Sequence, residues 1–148
     1  VAGMALALGA GGRVLMRDLR ELPGGSAVRG YQVKPWVVLH SSFEEVLFLD
    51  SDNFALTDPS PLFDLPAFAN AGAVFWPDTG SMATDSFMWG LIGKPPMAVM
   101  EVESGQLLVH RGRHWRALAL ANHFNSRGPG AYYIHLGGDK DLWQFSWR

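Results

Sequence analysis

The chain has 148 residues, of which 48% are apolar and 18% charged, and its formal net charge is −2. This length and apolar content fit one globular domain over residues 1–148 and exclude a wholly disordered chain. The near-neutral charge argues against binding to nucleic acid through a broad basic face. Because there is no cysteine, the sequence also excludes disulfide frameworks and thiolate metal sites.

The first segment, residues 1–12, is rich in Gly and Ala. Its apolar run over residues 1–10 is about half of the ~20 residues that a bilayer span needs. A signal peptide would have a basic residue before such a run, and this sequence has none there. We expect residues 1–12 to be poorly ordered or to form the edge of a fragment of a longer protein.

The predicted elements alternate between strands and helices. Strands are predicted over 13–19, 45–50, 72–76 and 106–110, with a further extended run over 132–134. Helices are predicted from Lys34-Pro35 onward, over 113–124, and after Asp139 as a candidate N-cap. Pro77 is expected to end a strand, residues 79–96 to form a long loop, and Gly128-Pro129-Gly130 to end a helix. This alternation predicts an α/β domain.

Two carboxylates, Asp50 and Asp52, follow the continuous apolar run of the predicted strand 45–50, which indicates a strand buried on both faces. In α/β proteins the carboxyl ends of strands open into the crevice where ligands bind. Oxygen ligands suit Mg²⁺ or Mn²⁺ and leave coordination positions for diphosphate oxygens. The alternative interpretation is a polar turn in which Asp50 caps the turn and Asp52 is solvated.

A strand followed by Asp-x-Asp is also typical of phosphatases of the haloacid-dehalogenase type, in which the first Asp is a nucleophile and the second a general acid. Phe54 stands where those enzymes usually have Thr or Val. The nearest substitute for their later Lys and acidic pair is 139–141, in the wrong order. The phosphatase alternative therefore has the weaker support.

Two further motifs place polar residues beside tight glycine turns. Glu103-Ser104-Gly105 leads into the predicted strand 106–110, and Gly137-Gly138-Asp139-Lys140 leads into the last helix. Together with LFLDSDN they follow the order seen in nucleotide-sugar transferases of the GT-A fold. The first motif would hold metal and diphosphate, and the other two would bring polar side chains to the sugar.

With GAVFWPD between them, these motifs over about residues 30–147 resemble glycosyltransferase family 71, the fungal-type Golgi α-mannosyltransferases. The resemblance implies a GT-A-type nucleotide-diphospho-sugar transferase fold, with a Rossmann-like mixed sheet of which this chain is a part. It implies a metal-dependent, retaining transfer from a GDP-mannose donor to a glycan acceptor in protein glycosylation, with Mn²⁺ or Mg²⁺ as cofactor. It also implies a type II enzyme at the lumenal face of the Golgi membrane, anchored by a region outside this chain.

The resemblance assigns roles to seven side chains. Asp50 and Asp52 would hold the metal, Lys34, Asp78 and Lys140 would join them in binding the donor, and Glu103 and Asp139 would be the catalytic carboxylates at the sugar. A third metal ligand and the strands of the nucleotide-base pocket are expected outside this sequence. We therefore expect the 148 residues alone to have little or no transferase activity. The remaining alternative is an inactive sugar- or nucleotide-binding remnant, because a fold does not guarantee an activity.

Overall fold

The computed structural model describes residues 16–136 and 138–148, which form three strands and six α-helices. In chain order these are α1 Val33–Leu39, β1 Glu45–Leu49, α2 Pro66–Ala71, β2 Ala73–Ser81, α3 Met88–Leu91, β3 Met100–His110, α4 Arg111–Ala131, α5 Tyr133–Leu136 and α6 Lys140–Ser146. Short 3-10 turns lie at Leu19–Glu21, Gly25–Ala27, Gly30–Gln32 and Ser60–Asp64. The predicted α/β class is confirmed. The expectation for residues 1–12 lies outside the described residues.

The described strands form one antiparallel sheet in the order β1-β3-β2. Because β3 is antiparallel to both neighbours, β1 and β2 run in the same direction. Their carboxyl ends therefore reach the same edge of the sheet, where β3 begins. The segments that carry the sequence motifs meet at this edge.

One face of the sheet packs against α1, α4 and α6. Leu107 and Val109, two residues apart on β3, point to this face because side chains alternate along a strand. The cluster consists of Val38, Leu107, Val109, Leu118, Ala121 and Trp143. A second cluster joins α3, α4 and α6, and consists of Met82, Met88, Trp89, Phe124, Leu142 and Phe145. Since α6 contributes to both clusters, its position is fixed from two sides.

The predicted strands at 45–50 and 72–76 are both present, with two corrections. β1 is half-buried rather than buried on both faces, because it is a terminal strand of the described sheet. β2 continues through Pro77 to Ser81, so the predicted stop at Pro77 is wrong. Proline is tolerated there because β2 is the other terminal strand and its register with β3 shifts on both sides of Pro77.

β3 begins at Met100, well before the predicted strand 106–110. The segment 103–105 therefore lies within the strand, whereas the sequence predicted a turn leading into it. Toward the chain start, the strand predicted over 13–19 is wrong in its described part. There the Asp18 side chain accepts a hydrogen bond from the backbone N–H of Arg20 (2.9 Å) and starts the 3-10 turn Leu19–Glu21.

The helix predicted over 113–124 is longer than expected, because α4 continues past Gly128 and Pro129. The extended run predicted over 132–134 is also wrong, since α5 occupies this segment. Gly128 is buried, and a Cβ at this position would collide with the ring of Tyr133. The Tyr133 hydroxyl donates a hydrogen bond to Asn125 Oδ1 (2.7 Å). These tertiary contacts override the local preference of Gly and Pro for ending a helix.

Among the helices of the described residues, none combines the length and the apolar sequence needed to cross a bilayer.

We predict that Leu107→Ala lowers the free energy of unfolding by about 3 kcal/mol, because it leaves a cavity between the sheet and its helices. Leu107 is fully buried at the centre of the first cluster. Urea denaturation measures the effect. The matched control is Leu120→Ala, at a side chain that is 37% exposed on α4. A loss at Leu107 no larger than at Leu120 would show that this cluster is not the stabilising core.

Candidate functional site

Three of the sequence motifs meet at the ammonium group of Lys34, in the first turn of α1. Lys34 Nζ donates hydrogen bonds to Asp50 Oδ2 (2.8 Å) and to Ser104 Oγ (3.1 Å). It also lies 3.6 Å from Asp139 Oδ2. One cation thus joins the end of β1, the middle of β3 and the start of α6. We call Lys34, Asp50, Ser104 and Asp139 the Lys34 cluster.

The register of the sheet brings the first two motifs together. Leu49 pairs with Gln106, so the next residue on the β1 side, Asp50, lies beside Gly105. The Asp50 backbone N–H and the Asn53 side-chain amide both donate to the Gly105 carbonyl, each at 2.8 Å. A Cβ at Gly105 would lie 2.9 Å from Asn53 Nδ2. A side chain at position 105 would therefore displace the Asn53 amide from its hydrogen bond to the Gly105 carbonyl.

Burial and charge oppose each other in the Lys34 cluster. The side chains of Lys34 and Asp139 are only 14% and 7% exposed. Burial by itself lowers the pKa of Lys34, but the hydrogen bond to Asp50 and the charge of Asp139 outweigh it, so the pKa is raised. Burial raises the pKa of Asp139, and the Lys34 ammonium opposes part of this rise. The two carboxylates therefore stabilise the charged form of Lys34, and Lys34 in turn stabilises the charged form of Asp139.

Asp139 occupies the N-cap position of α6, as predicted, but its side chain makes no capping hydrogen bond. Its Oδ2 atom accepts a hydrogen bond from Trp143 Nε1 (3.4 Å) and faces Lys34. The predicted N-cap position of Asp139 is thus confirmed, but its side chain does not make the capping hydrogen bond. The carboxylate is directed toward Lys34 of α1.

A cavity of about 550 Å³ adjoins the Lys34 cluster and is lined by Asp50, Asp52 and Glu103. Asp52 is exposed in the turn after β1. Glu103 Oε1 accepts a hydrogen bond from the Gly105 backbone N–H (2.7 Å), which fixes its carboxylate against its own strand. Three of the predicted site carboxylates therefore line one cavity.

Asp50 and Asp52 both contribute oxygen donors to this cavity, and hard oxygen donors fit Mn²⁺ or Mg²⁺. Within residues 16–136 and 138–148, no group of three His, Cys, Asp or Glu side chains is arranged to hold a metal ion. The two carboxylates would therefore supply only part of a coordination shell, with positions left for the oxygens of a ligand.

The remaining two predicted residues, Asp78 and Lys140, form a separate group. Lys140 Nζ donates to Asp78 Oδ2 (2.7 Å) and to Glu101 Oε2 (2.6 Å). The hydrogen bond from Lys140 lowers the pKa of Asp78. Sequence reasoning missed Glu101. The available signal was its spacing of two from Glu103, which puts both side chains on one face of β3.

Comparison with known proteins gives a consistent result. Residues 14–94, just over half of the chain, match the family described as "Mannosyltransferase putative". The match includes Lys34, Asp50, Asp52 and Asp78, and ends before Glu103 and Asp139.

Several curated relatives are similar over most of the chain. Alpha-1,2-mannosyltransferase MNN22 of Candida albicans is 29% identical over 153 residues (75% of this chain and 26% of the relative). Alpha-1,2-mannosyltransferase MNN21 of the same species is 30% identical over 144 residues (71% and 22%). Alpha-1,2-mannosyltransferase MNN2 of Saccharomyces cerevisiae is 25% identical over 142 residues (71% and 24%). The chain spans about a quarter of the length of these relatives. The resemblance predicted from the motifs is therefore confirmed, and the chain belongs to this mannosyltransferase family.

Proposed function

We propose that the chain is part of an α-mannosyltransferase that moves mannose from GDP-mannose to a glycan acceptor. The observation that carries the proposal is the contact of Lys34 with all three motifs, beside a cavity lined by Asp50, Asp52 and Glu103. The relatives are named alpha-1,2-mannosyltransferases, which supports an α-1,2 linkage in the product.

The proposal extends to the fold and the location of the intact protein. We propose a GT-A-type fold, of which the described sheet is one part. Two strands that run in one direction on either side of an antiparallel strand are compatible with a larger mixed sheet. The family resemblance supports a place on the lumenal face of the Golgi membrane, with the anchor outside the described residues.

In the donor site, Asp50 and Asp52 would hold Mn²⁺, or Mg²⁺, together with the diphosphate. When bound, the metal ion would neutralise the negative charge that develops on the leaving diphosphate. Lys34 would add a second positive charge at the same edge of the sheet. Because its ammonium is already held in place by Asp50 and Ser104, it would stabilise that charge without a large rearrangement.

Asp139 and Glu103 are the carboxylates proposed to lie near the sugar. As the bond from the anomeric carbon to the diphosphate breaks, the sugar becomes oxocarbenium-like and an acceptor hydroxyl attacks it. Retention of configuration then follows from a carboxylate nucleophile or from front-face attack assisted by the leaving phosphate. Asp139 would accept hydrogen bonds from sugar hydroxyls, since its position is fixed by Trp143 and Lys34.

Asp78 and Lys140 do not line the donor cavity and would act on the proposed donor site through their ion pair. This pair ties β2 to the first residue of α6 and so keeps the preceding residue, Asp139, beside Lys34. Membership of the mannosyltransferase family favours glycosyl transfer over the haloacid-dehalogenase-type phosphatase reaction.

The direct test is turnover of GDP-mannose by the intact protein with Mn²⁺ and an α-mannoside acceptor. A new mannosyl linkage in the product is the expected result. Nucleotide binding without any transfer would identify an inactive remnant, and release of phosphate alone would identify a phosphatase.

We predict that the double variant Asp50→Asn, Asp52→Asn loses metal-dependent binding of GDP while keeping its fold. The two substitutions remove both negative charges from the metal site but preserve side-chain size. Calorimetric titration of GDP with and without Mn²⁺ measures the effect, and circular dichroism checks the fold. The control is Asp64→Asn, the same chemical change at an exposed carboxylate. Undiminished binding in the double variant would contradict the assignment.

We also predict that Asp139→Asn lowers kcat by about 10²-fold, a loss of roughly 2.7 kcal/mol of transition-state stabilisation. Charge-assisted hydrogen bonds to the sugar should strengthen as the ring flattens, so GDP affinity should change little. Steady-state kinetics and GDP titration on the intact protein measure the two effects separately. Near-wild-type kcat would mean that the Asp139 carboxylate has only a structural role beside Lys34 and Trp143.

A further inference from the structure

A second cavity is lined by Asp141 in the first turn of α6, and the donor site does not use it. Its volume is about 680 Å³, within the range of about 300–1,000 Å³ that is usual for small-molecule sites. Its lining includes the hydroxyl groups of Ser81 and Ser86, three carboxylates, of which Glu101 and Asp141 are two, and the rings of Phe87 and His135. We call it the α6 cavity.

Asp141 is the feature that points to a ligand in the α6 cavity. Its side chain lines the cavity although the residue is only 9% exposed. Its Oδ1 atom is buried and accepts no hydrogen bond from any residue that the structure describes. An unpartnered buried carboxylate oxygen costs folding free energy, and buried polar groups normally have partners. A hydrogen-bond donor in the cavity would supply the missing partner.

The charges around the cavity select the kind of donor. Asp85, Glu101 and Asp141 all line it, so an anionic group such as a diphosphate would be repelled. The Lys140 ammonium is already bound to Asp78 and Glu101. No described group of three His, Cys, Asp or Glu side chains is arranged as a metal site, which argues against a cation held by these carboxylates. A neutral molecule rich in hydroxyl groups fits best.

The rings complete a surface suited to a sugar. Phe87 is 46% exposed, and its ring centroid lies 5.2 Å from that of His135. An aromatic face can pack on the apolar C–H face of a pyranose while carboxylates accept hydrogen bonds from its hydroxyls. The raised pKa of Asp141, about 6, has burial as its main cause, with a contribution from Glu101. The charged form of the Asp141 carboxylate is thus disfavoured in the protein, and hydrogen bonds from hydroxyl donors would stabilise it.

We propose that the α6 cavity binds a hexose unit of the acceptor glycan, with Asp141 accepting hydrogen bonds from its hydroxyls. This inference rests on the proposed transferase function. Asp139 and Asp141 are two residues apart at the start of α6. Asp139 faces Lys34 in the proposed donor site, whereas Asp141 lines the α6 cavity. The same turn of helix would then hold the donor sugar on one side and the acceptor on the other.

The test compares Asp141→Ala with the control Asp64→Asn, using methyl α-mannoside and GDP with Mn²⁺ as separate probes. Saturation-transfer NMR follows mannoside binding and calorimetry follows GDP binding on the intact protein. We expect Asp141→Ala to weaken mannoside binding by about 10-fold or more, as expected for loss of a charge-assisted hydrogen bond, and to leave GDP affinity unchanged. In the transfer reaction, the acceptor KM should rise more than the donor KM.

Folding of the variant is checked by urea denaturation. Because Asp141 is a buried carboxylate without a described partner, the Asp141→Ala midpoint should be no lower than that of Asp64→Asn at pH 7. A lower midpoint with unchanged mannoside affinity would overturn the proposal and show that Asp141 has a structural role.

The outcomes separate this inference from the proposed function. Mannoside binding that depends on Asp141 in a protein that does not bind GDP would support the α6 cavity and contradict the donor site. GDP binding together with no mannoside binding, even at mannoside concentrations well above about 1 mM, would support the donor site and contradict the α6 cavity. Mannoside binding that Asp141→Ala leaves intact would also overturn the inference.

Discussion

A buried ammonium group needs oxygen atoms around it, and the arrangement of the candidate site depends on how Lys34 meets this requirement. Its partners come from three separate parts of the chain: Asp50 after β1, Ser104 in β3 and Asp139 before α6. If one carboxylate is displaced, a largely buried charge loses a partner, which is costly in a medium of low dielectric constant. The Lys34 cluster therefore couples the ends of these elements, and it does so where the three sequence motifs lie.

β3 connects this polar cluster to the core. Its carboxyl half is fully buried around Leu107 and Val109, and its amino half carries Glu103, Ser104 and Gly105. Because both halves belong to one strand, packing of the apolar half against α1, α4 and α6 fixes the register of the polar half. The site is thus built on the central strand of the described sheet. α6 contributes to both hydrophobic clusters, and Asp139 at its start faces Lys34.

The elements that could be predicted from sequence are those encoded by adjacent residues. The apolar run before Asp50 predicted β1, Lys34-Pro35 predicted the start of α1, and Asp139 predicted the start of α6. In each case the signal is local, because the run, the proline or the cap acts within one turn or one strand. The motifs also indicated the family, since residue identities in a fixed order carry that information without any coordinates.

The partners of these residues were decided by the tertiary structure alone. Lys34 and Ser104 are 70 positions apart, and Lys140 and Asp78 are 62 apart, so nothing in either segment indicates the contact. Pairing with β3 carries β2 through Pro77, and the ring of Tyr133 against Gly128 lets α4 continue where the sequence predicts an end. The sequence by itself determined β1, the starts of α1 and α6, and the polar motifs. The side to which each polar group points was determined by sheet register and helix packing, because these depend on residues far apart along the chain.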